Sequence, residues 1–166
     1  MSADVTAEQV RALFDYDASA GILIRKTPKG NQLAGTRAGS VERNGYRRVS
    51  VGNRNYQEHR VIWLYWYGTW PREELDHIDG DKSNNRIANL RDVPRRINSQ
   101  NLRRAVSTSE SGLLGVSRSR RHVLNPWVAC IKVDGKQKHL GYFKSPEEAS
   151  ACYVNAKREL HEGNTL

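Results

Sequence analysis

Apolar positions in this chain come in short bursts separated by turns rich in Gly, Asn and Asp, and the spacing within each burst predicts what it becomes. Val10, Leu13 and Phe14 recur at helical spacing behind Thr6-Ala7-Glu8-Gln9, a capping box in which a hydroxyl and an amide satisfy the open N–H groups of a first turn. That helix is expected to end before Gly21. Ile22-Leu23-Ile24 predicts a brief strand, and Lys29–Arg43 is a Gly-rich basic connection without a period. Gly45–Val51 alternates, turns at Gly52-Asn53 and resumes at Tyr56, the pattern of a hairpin. His59–Gly68 is the most apolar stretch, with Gly68 placed as a helix C-cap. Its Trp63, Trp66 and tyrosines are expected to fill a core; His59 and Arg60, at its polar entrance, are placed to approach a functional centre, with His59 read first as a structural histidine.

After the turn at Trp70-Pro71, Leu75–Ile78 predicts a strand ending, Asp79–Asn85 an irregular polar connection, and Ile87–Leu90 a second short strand. Arg95–Arg104 follows as a helix started near Pro94. The texture then changes: residues 105–112 are small and polar, a linker composition. Beyond it Leu114–Val116, Trp127–Val133 and His139–Phe143 predict three strands, the last two joined by an Asp134-Gly135 turn. Ser145-Pro146-Glu147-Glu148 starts a final helix whose stripe of Ala149, Cys152, Tyr153, Ala156 and Leu160 should lie across the sheet. The expectation is an α+β chain of two modules, residues 1–104 and 113–166.

Composition narrows the class. The 166 residues are 37% hydrophobic, with a mean hydropathy of -0.75. No apolar run approaches the roughly 20 residues that span a bilayer, and Met1–Thr6 has no signal-peptide character, so a cytoplasmic location is the default expectation. The net charge is +9. It is spread evenly: Met1–Leu75 holds 11 basic and 8 acidic side chains, Asp76–Val106 holds 7 and 4, and Ser107–Leu166 holds 9 and 6. An excess of +3 in each part points to an extended polyanion met by several parts of the chain. Cys130 and Cys152 are too few for a disulfide framework or a four-cysteine zinc site and read as buried thiols.

The densest chemistry lies in Leu75–Leu90 and its continuation Arg95–Asn101. A carboxylate beside an imidazole, a turn of Asn, Asp and Gly, and trailing amides are what a small hydrolytic site with a hard cation requires. Asp-His-Ile-Asp-Gly at 76–80, Asn-Asn-Arg at 84–86, Asn-Leu-Arg at 89–91 and the later Asn98 resemble the HNH endonuclease family, in its phage and homing-endonuclease branch. The resemblance extends upstream to about Thr6 and implies a ββα-metal finger over about 75–104. It implies Asp76 and Asn98 as ligands of one divalent metal, Mg²⁺ or alternatively Mn²⁺. His77 is implied as the general base that deprotonates the attacking water, and Asn89, twelve residues on, as the residue that pins the loop. The last position of the motif is Asn98 where the family name has His, a substitution common in this branch. Asp79 and Asp81 read as turn-formers; Asn101, one helical turn beyond Asn98, is an alternative ligand.

The second half resembles the APETALA2-type DNA-binding domain through Gly115-Val116, Trp127-Val128-Ala129, Leu140-Gly141-Tyr142-Phe143 and the Glu147-Glu148-Ala149 helix. That resemblance implies a sheet laid in the major groove of double-stranded DNA. Trp127, Lys132, Lys138 and His139 would be contact residues, and Arg118, Arg120 and Arg121 would compensate for Ser117 and Ser119, which stand where that family has Arg. In the first half Arg47, Arg48 and Arg54 are candidate phosphate contacts. The expected function is metal-dependent hydrolysis of DNA phosphodiesters, leaving a 5′-phosphate and a 3′-hydroxyl. The alternative is a non-catalytic DNA-binding regulator on a retained HNH scaffold. The sequence leaves monomer and homodimer open.

Overall fold

The computed structural model describes residues 5–166; Met1–Asp4, most of the start that lacks signal-peptide character, lie outside the described residues. The chain divides into two compact units, Met1–Arg95 and Arg96–Leu166. The division falls ahead of the expected linker because the segment after Arg95 is bonded to the C-terminal tail. Gln100 Oε1 accepts from Gly163 N at 2.9 Å, Thr165 donates to Asn101, and buried Lys157 donates to Leu102 O. Within 105–112, Ser111 Oγ donates to Val116 O at 2.8 Å, so this stretch folds onto the second unit.

In the first unit, helix α1 (Ala7–Leu13) opens on the predicted capping box, both of whose bonds form. It stops earlier than expected. Phe14–Asp17 instead forms strand β1, antiparallel to β2 (Ile22–Arg25), because Phe-Asp-Tyr-Asp alternates and Asp17 Oδ1 caps the turn at Ser19 and Ala20. The Gly-rich connection is not wholly irregular: Ser40–Val41 is a short edge strand β3, pairing with β4 (Arg47–Val51), which forms the predicted hairpin with β5 (Arg54–Gln57). Helix α2 (Glu58–Tyr67) ends at Gly68, whose φ of 79° is the left-handed cap conformation.

Next, β6 (Glu74–His77) pairs with β7 (Leu90–Val93). Ile87–Asn89, expected within the second strand, is a single 3₁₀ turn instead, since Asn89 turns its side chain to the preceding loop. The core joins Val10, Phe14, Leu23, Val49, Val51, Val61, Ile62, Leu64 and Leu90. Trp63 packs against it, whereas Trp66 and Tyr67 are half exposed, a correction to the expectation that the whole aromatic run would be core.

Helix α3 (Arg95–Gln100) straddles the division and is shorter than predicted. In the second unit β8 (Val116–Arg118), β9 (Trp127–Val133) and β10 (Lys136–Phe143) form an antiparallel sheet in the order β10-β9-β8, with α4 (Pro146–Leu160) packed on it. Asp134 and Gly135, both at positive φ, make the β9–β10 turn. Ala129, Ile131, Ala149 and Tyr153 form the buried core. Gly115 allows the closest approach there, since a Cβ on it would lie 2.0 Å from the Tyr153 ring. Cys130 and Cys152 are free thiols, half-buried rather than buried. Among the described residues no helix is long and apolar enough to cross a membrane. The whole is a mixed fold of helices and small antiparallel sheets.

Candidate active site

Strand alternation puts Asp76 and His77 on opposite faces of β6, and each is buried with its own partners. Asp76 Oδ2 accepts from Nε and an Nη of its cross-strand neighbour Arg91, at 2.9 and 2.7 Å. His77, 3% exposed, places Nε2 2.8 Å from Asn85 Oδ1. Asn85, fully buried, donates from Nδ2 to Glu58 Oε2 at 2.9 Å. Glu58, also fully buried at the start of α2, is ion-paired with Arg47 at 3.0 Å and Arg37 at 3.8 Å. Burial raises the Glu58 carboxyl pKa, opposed by Arg47, Arg37 and the Asn85 amide.

This chain of partners assigns a tautomer. As a carboxylate, Glu58 only accepts, so Asn85 must turn its NH₂ toward it and its oxygen toward His77. The His77 proton then belongs on Nε2, and in the neutral ring the lone pair is on Nδ1.

The loop that carries Asn85 is held from three sides. Tyr16 Oη donates to Asn85 O at 3.1 Å and accepts from Ile87 N at 2.9 Å, and Arg86 Nε donates to Ser19 O at 2.5 Å. Gly21 lies against its backbone, where a Cβ would stand 2.4 Å from Arg86 N. Asn89 closes the rest of the turn: its Nδ2 donates to Asp79 Oδ1 at 2.9 Å and Asn84 O at 2.8 Å, and its Oδ1 accepts from Asp79 N at 3.0 Å. Burial alone would raise the Asp79 pKa, yet the carboxyl sits below its ordinary value because Asn84, Asp81 N–H and Asn89 donate to it. Asp79 and Asp81 are turn-formers here, Asp81 Oδ1 accepting from Ser83 N at 2.9 Å.

His59 is nearer the site than its structural reading implied. Its ring centroid is 5.1 Å from that of His77 and 5.3 Å from that of Tyr46, and its Nδ1 is buried without a hydrogen bond. Burial first, then His77 and Arg60, push its pKa down to about 3, so it packs edge-on to His77 as a neutral ring. Sequence reasoning missed Glu58, Asn85 and Tyr46. The available signal was a Glu-His pair opening an otherwise apolar helix, where charge faces a core.

The other candidates divide sharply. Arg47 turns inward to Glu58 and to the carbonyls of Ala38 and Gly39, so its guanidinium is not a surface phosphate contact. Arg48 is half exposed and 3.5 Å from Glu42, and Arg54 is exposed. Asn98 lies on α3 in the second unit, its carbonyl accepting from Asn101 N at 3.0 Å; Asn101 already receives the Thr165 hydroxyl on Oδ1. Trp127 is partly buried and packs against the α4-side core, with Arg118 5.9 Å over its ring. Arg118 is exposed and 3.4 Å from Glu110. Arg120, Arg121, Lys132, Lys138 and His139 are exposed. The sheet face away from α4 carries His139 and Tyr142; the Tyr142 ring lies 4.6 Å from His139 and 3.7 Å from His122, an aromatic grouping that sequence reasoning did not single out.

A carboxylate such as Asp76 is the kind of donor that a hard cation accepts. Among the described residues no three His, Cys, Asp or Glu side chains stand together as a cage. A metal here would take Asp76 and few other protein ligands, with water completing the shell, as Mg²⁺ accepts.

Residues 56–100 match the HNH endonuclease family. Protein 3.8 of Escherichia phage T7 is 32% identical over 108 residues, which span 63% of this chain and 84% of that protein. No solved structure matches.

Proposed function

The chain belongs to the same family as Protein 3.8 of Escherichia phage T7 and carries an HNH endonuclease domain, and on that premise we propose that it is a metal-dependent endonuclease of double-stranded DNA. The observation that carries the reading is the His77–Asn85–Glu58 chain of hydrogen bonds, which directs the basic nitrogen of one imidazole. Nδ1 of His77 takes the proton of the attacking water, while Nε2 keeps its own proton, donated to Asn85 Oδ1, and the Glu58 carboxylate offsets the imidazolium charge. On the sequence motif alone, Asp76 and Asn98 are the candidate ligands of the metal, Mg²⁺ or Mn²⁺. When bound, that ion polarises the scissile phosphate and stabilises the leaving oxygen. Asn89 keeps the 79–84 turn closed at the end of β6, next to His77. The second unit holds DNA through an APETALA2-like sheet, a reading supported by its three antiparallel strands and the packed helix.

A second reading, a DNA-binding regulator on an HNH scaffold, is favoured by two observations: His77 is 3% exposed, and Asp76 Oδ2 is engaged by Arg91. Supercoiled plasmid incubated with the protein and Mg²⁺, with and without chelator, decides between them. Strand breakage that needs the metal and disappears in His77→Ala supports the endonuclease. Equal gel retardation by both proteins without breakage supports the regulator.

A further inference from the structure

Arg25 is 6% exposed, yet its Nε has no hydrogen-bond partner and, among the described residues, no carboxylate pairs with its guanidinium. Its backbone is already satisfied, N–H to Thr36 O at 2.9 Å and C=O from Gly35 N at 2.8 Å. The guanidinium lies 5.7 Å from the centre of the Phe14 ring, a contact that offers it no hydrogen-bond acceptor. A buried guanidinium N–H without an acceptor is costly, and the deficit is removed if an outside anion supplies one.

The side chain lines a cleft of roughly 620 Å³. Lys29, Arg48, Gln32, Ser50 and Asn55 line it too, and no carboxylate does. Lys29 Nζ rests on the Gly52 carbonyl at 2.8 Å, and Arg48 holds only a half-exposed pair with Glu42 at 3.5 Å, an arrangement that yields readily to a stronger anion. Along β4, Arg47, Val49 and Val51 point to the interior and Arg48 and Ser50 to the other face, so the cleft is separate from the His77 network. Guanidinium and ammonium donors beside neutral amides and a hydroxyl fit a phosphate.

We propose that this cleft seats a backbone phosphodiester of the DNA, outside the scissile position. The inference rests on DNA being the substrate. It is tested by anisotropy of a labelled duplex with full-length protein in EDTA, reading affinity against salt. Each lost phosphate contact lowers the slope of log K on log[salt] by about 0.9. Lys29→Gln, Arg48→Gln and Arg25→Gln should each show a drop of that order. Lys26→Gln, whose ammonium is held by Asp15 at 3.1 Å, should not. Should Arg25→Gln fail to fold by circular dichroism, the Lys29 and Arg48 variants decide. Unchanged slopes in both, or an equal drop in Lys26→Gln, overturn the proposal. So does a shift of the Arg25 Nε–H resonance on titrating inorganic phosphate while the DNA slopes stay unchanged, since the cleft would then be a free-phosphate site. Wild-type plasmid breakage reports on the endonuclease reading separately: breakage with unchanged slopes rejects the cleft alone, and lowered slopes without breakage reject only the chemistry.

Discussion

The candidate site residues of the two units are placed in opposite ways, although the second unit also buries Gln100, Asn101 and Lys157. In the first, Arg47, Glu58, Asn85 and His77 are largely buried and each fixes the next, so the orientation of one imidazole is set by a guanidinium three partners away. In the second, Lys132, His139, Tyr142, Arg120 and Arg121 stand exposed, with few bonds that fix their direction. A buried polar group without its partner bears the full desolvation penalty, whereas an exposed one returns to water. Substitutions should therefore be steep in the His77 network and shallow on the exposed sheet face of the second unit.

The steepest case is Glu58→Ala. It removes the carboxylate that compensates Arg47 and accepts from Asn85, leaving a buried cation and a buried amide, a loss on the order of 3–5 kcal/mol. Glu58→Gln keeps an acceptor and should lose less. Urea unfolding with a fixed slope measures both. Two variants with wild-type midpoints would mean that the network relaxes as an exposed one does, and the contrast between the units would fail.

Asn85→Ala should act on chemistry more than on binding. With the Nε2 acceptor gone, the His77 tautomer is no longer imposed, and kcat for strand breakage should fall on the order of 10–100-fold with KM nearly unchanged, since the residue acts through His77. Nitrogen NMR of the His77 ring gives a reading independent of turnover: an Nε2–H tautomer in the wild type and a mixture in the variant. A wild-type ring protonated on Nδ1 would reverse the assignment.

What the sequence disclosed follows the same divide. The capping box at Thr6, the Gly68 C-cap, the hairpin turn at Gly52-Asn53 and the β9–β10 turn are local signals, and each forms where the residues predict. The errors needed knowledge of distant partners. Phe14–Asp17 continues a helical pattern and becomes a strand only because Ile22–Arg25 lies beside it. Ile87–Asn89 is coiled by the bonds of Asn89 to Asp79 and Asn84. Asp76, His77 and Asn89 could be named from a spaced motif. Asn85 looked like turn material and Arg47 like a surface cation, because Glu58, which gives both their direction, is 27 residues from the one and 11 from the other. The side on which Trp127 stands was not legible for a related reason: strand alternation gives two faces, and only the docked α4 shows which is covered.

A gentler probe of the first unit is pH. Its neutral His59 has a folded pKa near 3 against about 6.5 unfolded, so the unfolded state binds the proton more readily. The contribution is complete above pH 6.5 and is lost as pH falls toward 3, by at most about 1.4 kcal/mol per pH unit. His59→Phe should flatten the stability profile between pH 6 and 4 relative to the wild type. Parallel profiles would show that the ring beside His77 is reached by solvent protons in the folded state.

The smallest effect is expected on the exposed sheet face. Lys132→Gln removes one cation that the fold does not need, its backbone carbonyl being the part that contacts His161 Nε2 at 2.9 Å. Folding stability should stay within about 0.5 kcal/mol of wild type, while duplex affinity falls a few-fold and the salt slope by about 0.9. His139→Ala, one strand over, should weaken binding without altering the slope if its ring acts with Tyr142 by stacking rather than by charge. A Lys132 variant that unfolds instead of merely binding less would place this face among the interlocked surfaces of the first unit, because only a residue whose partners depend on it destabilises the chain when it is removed.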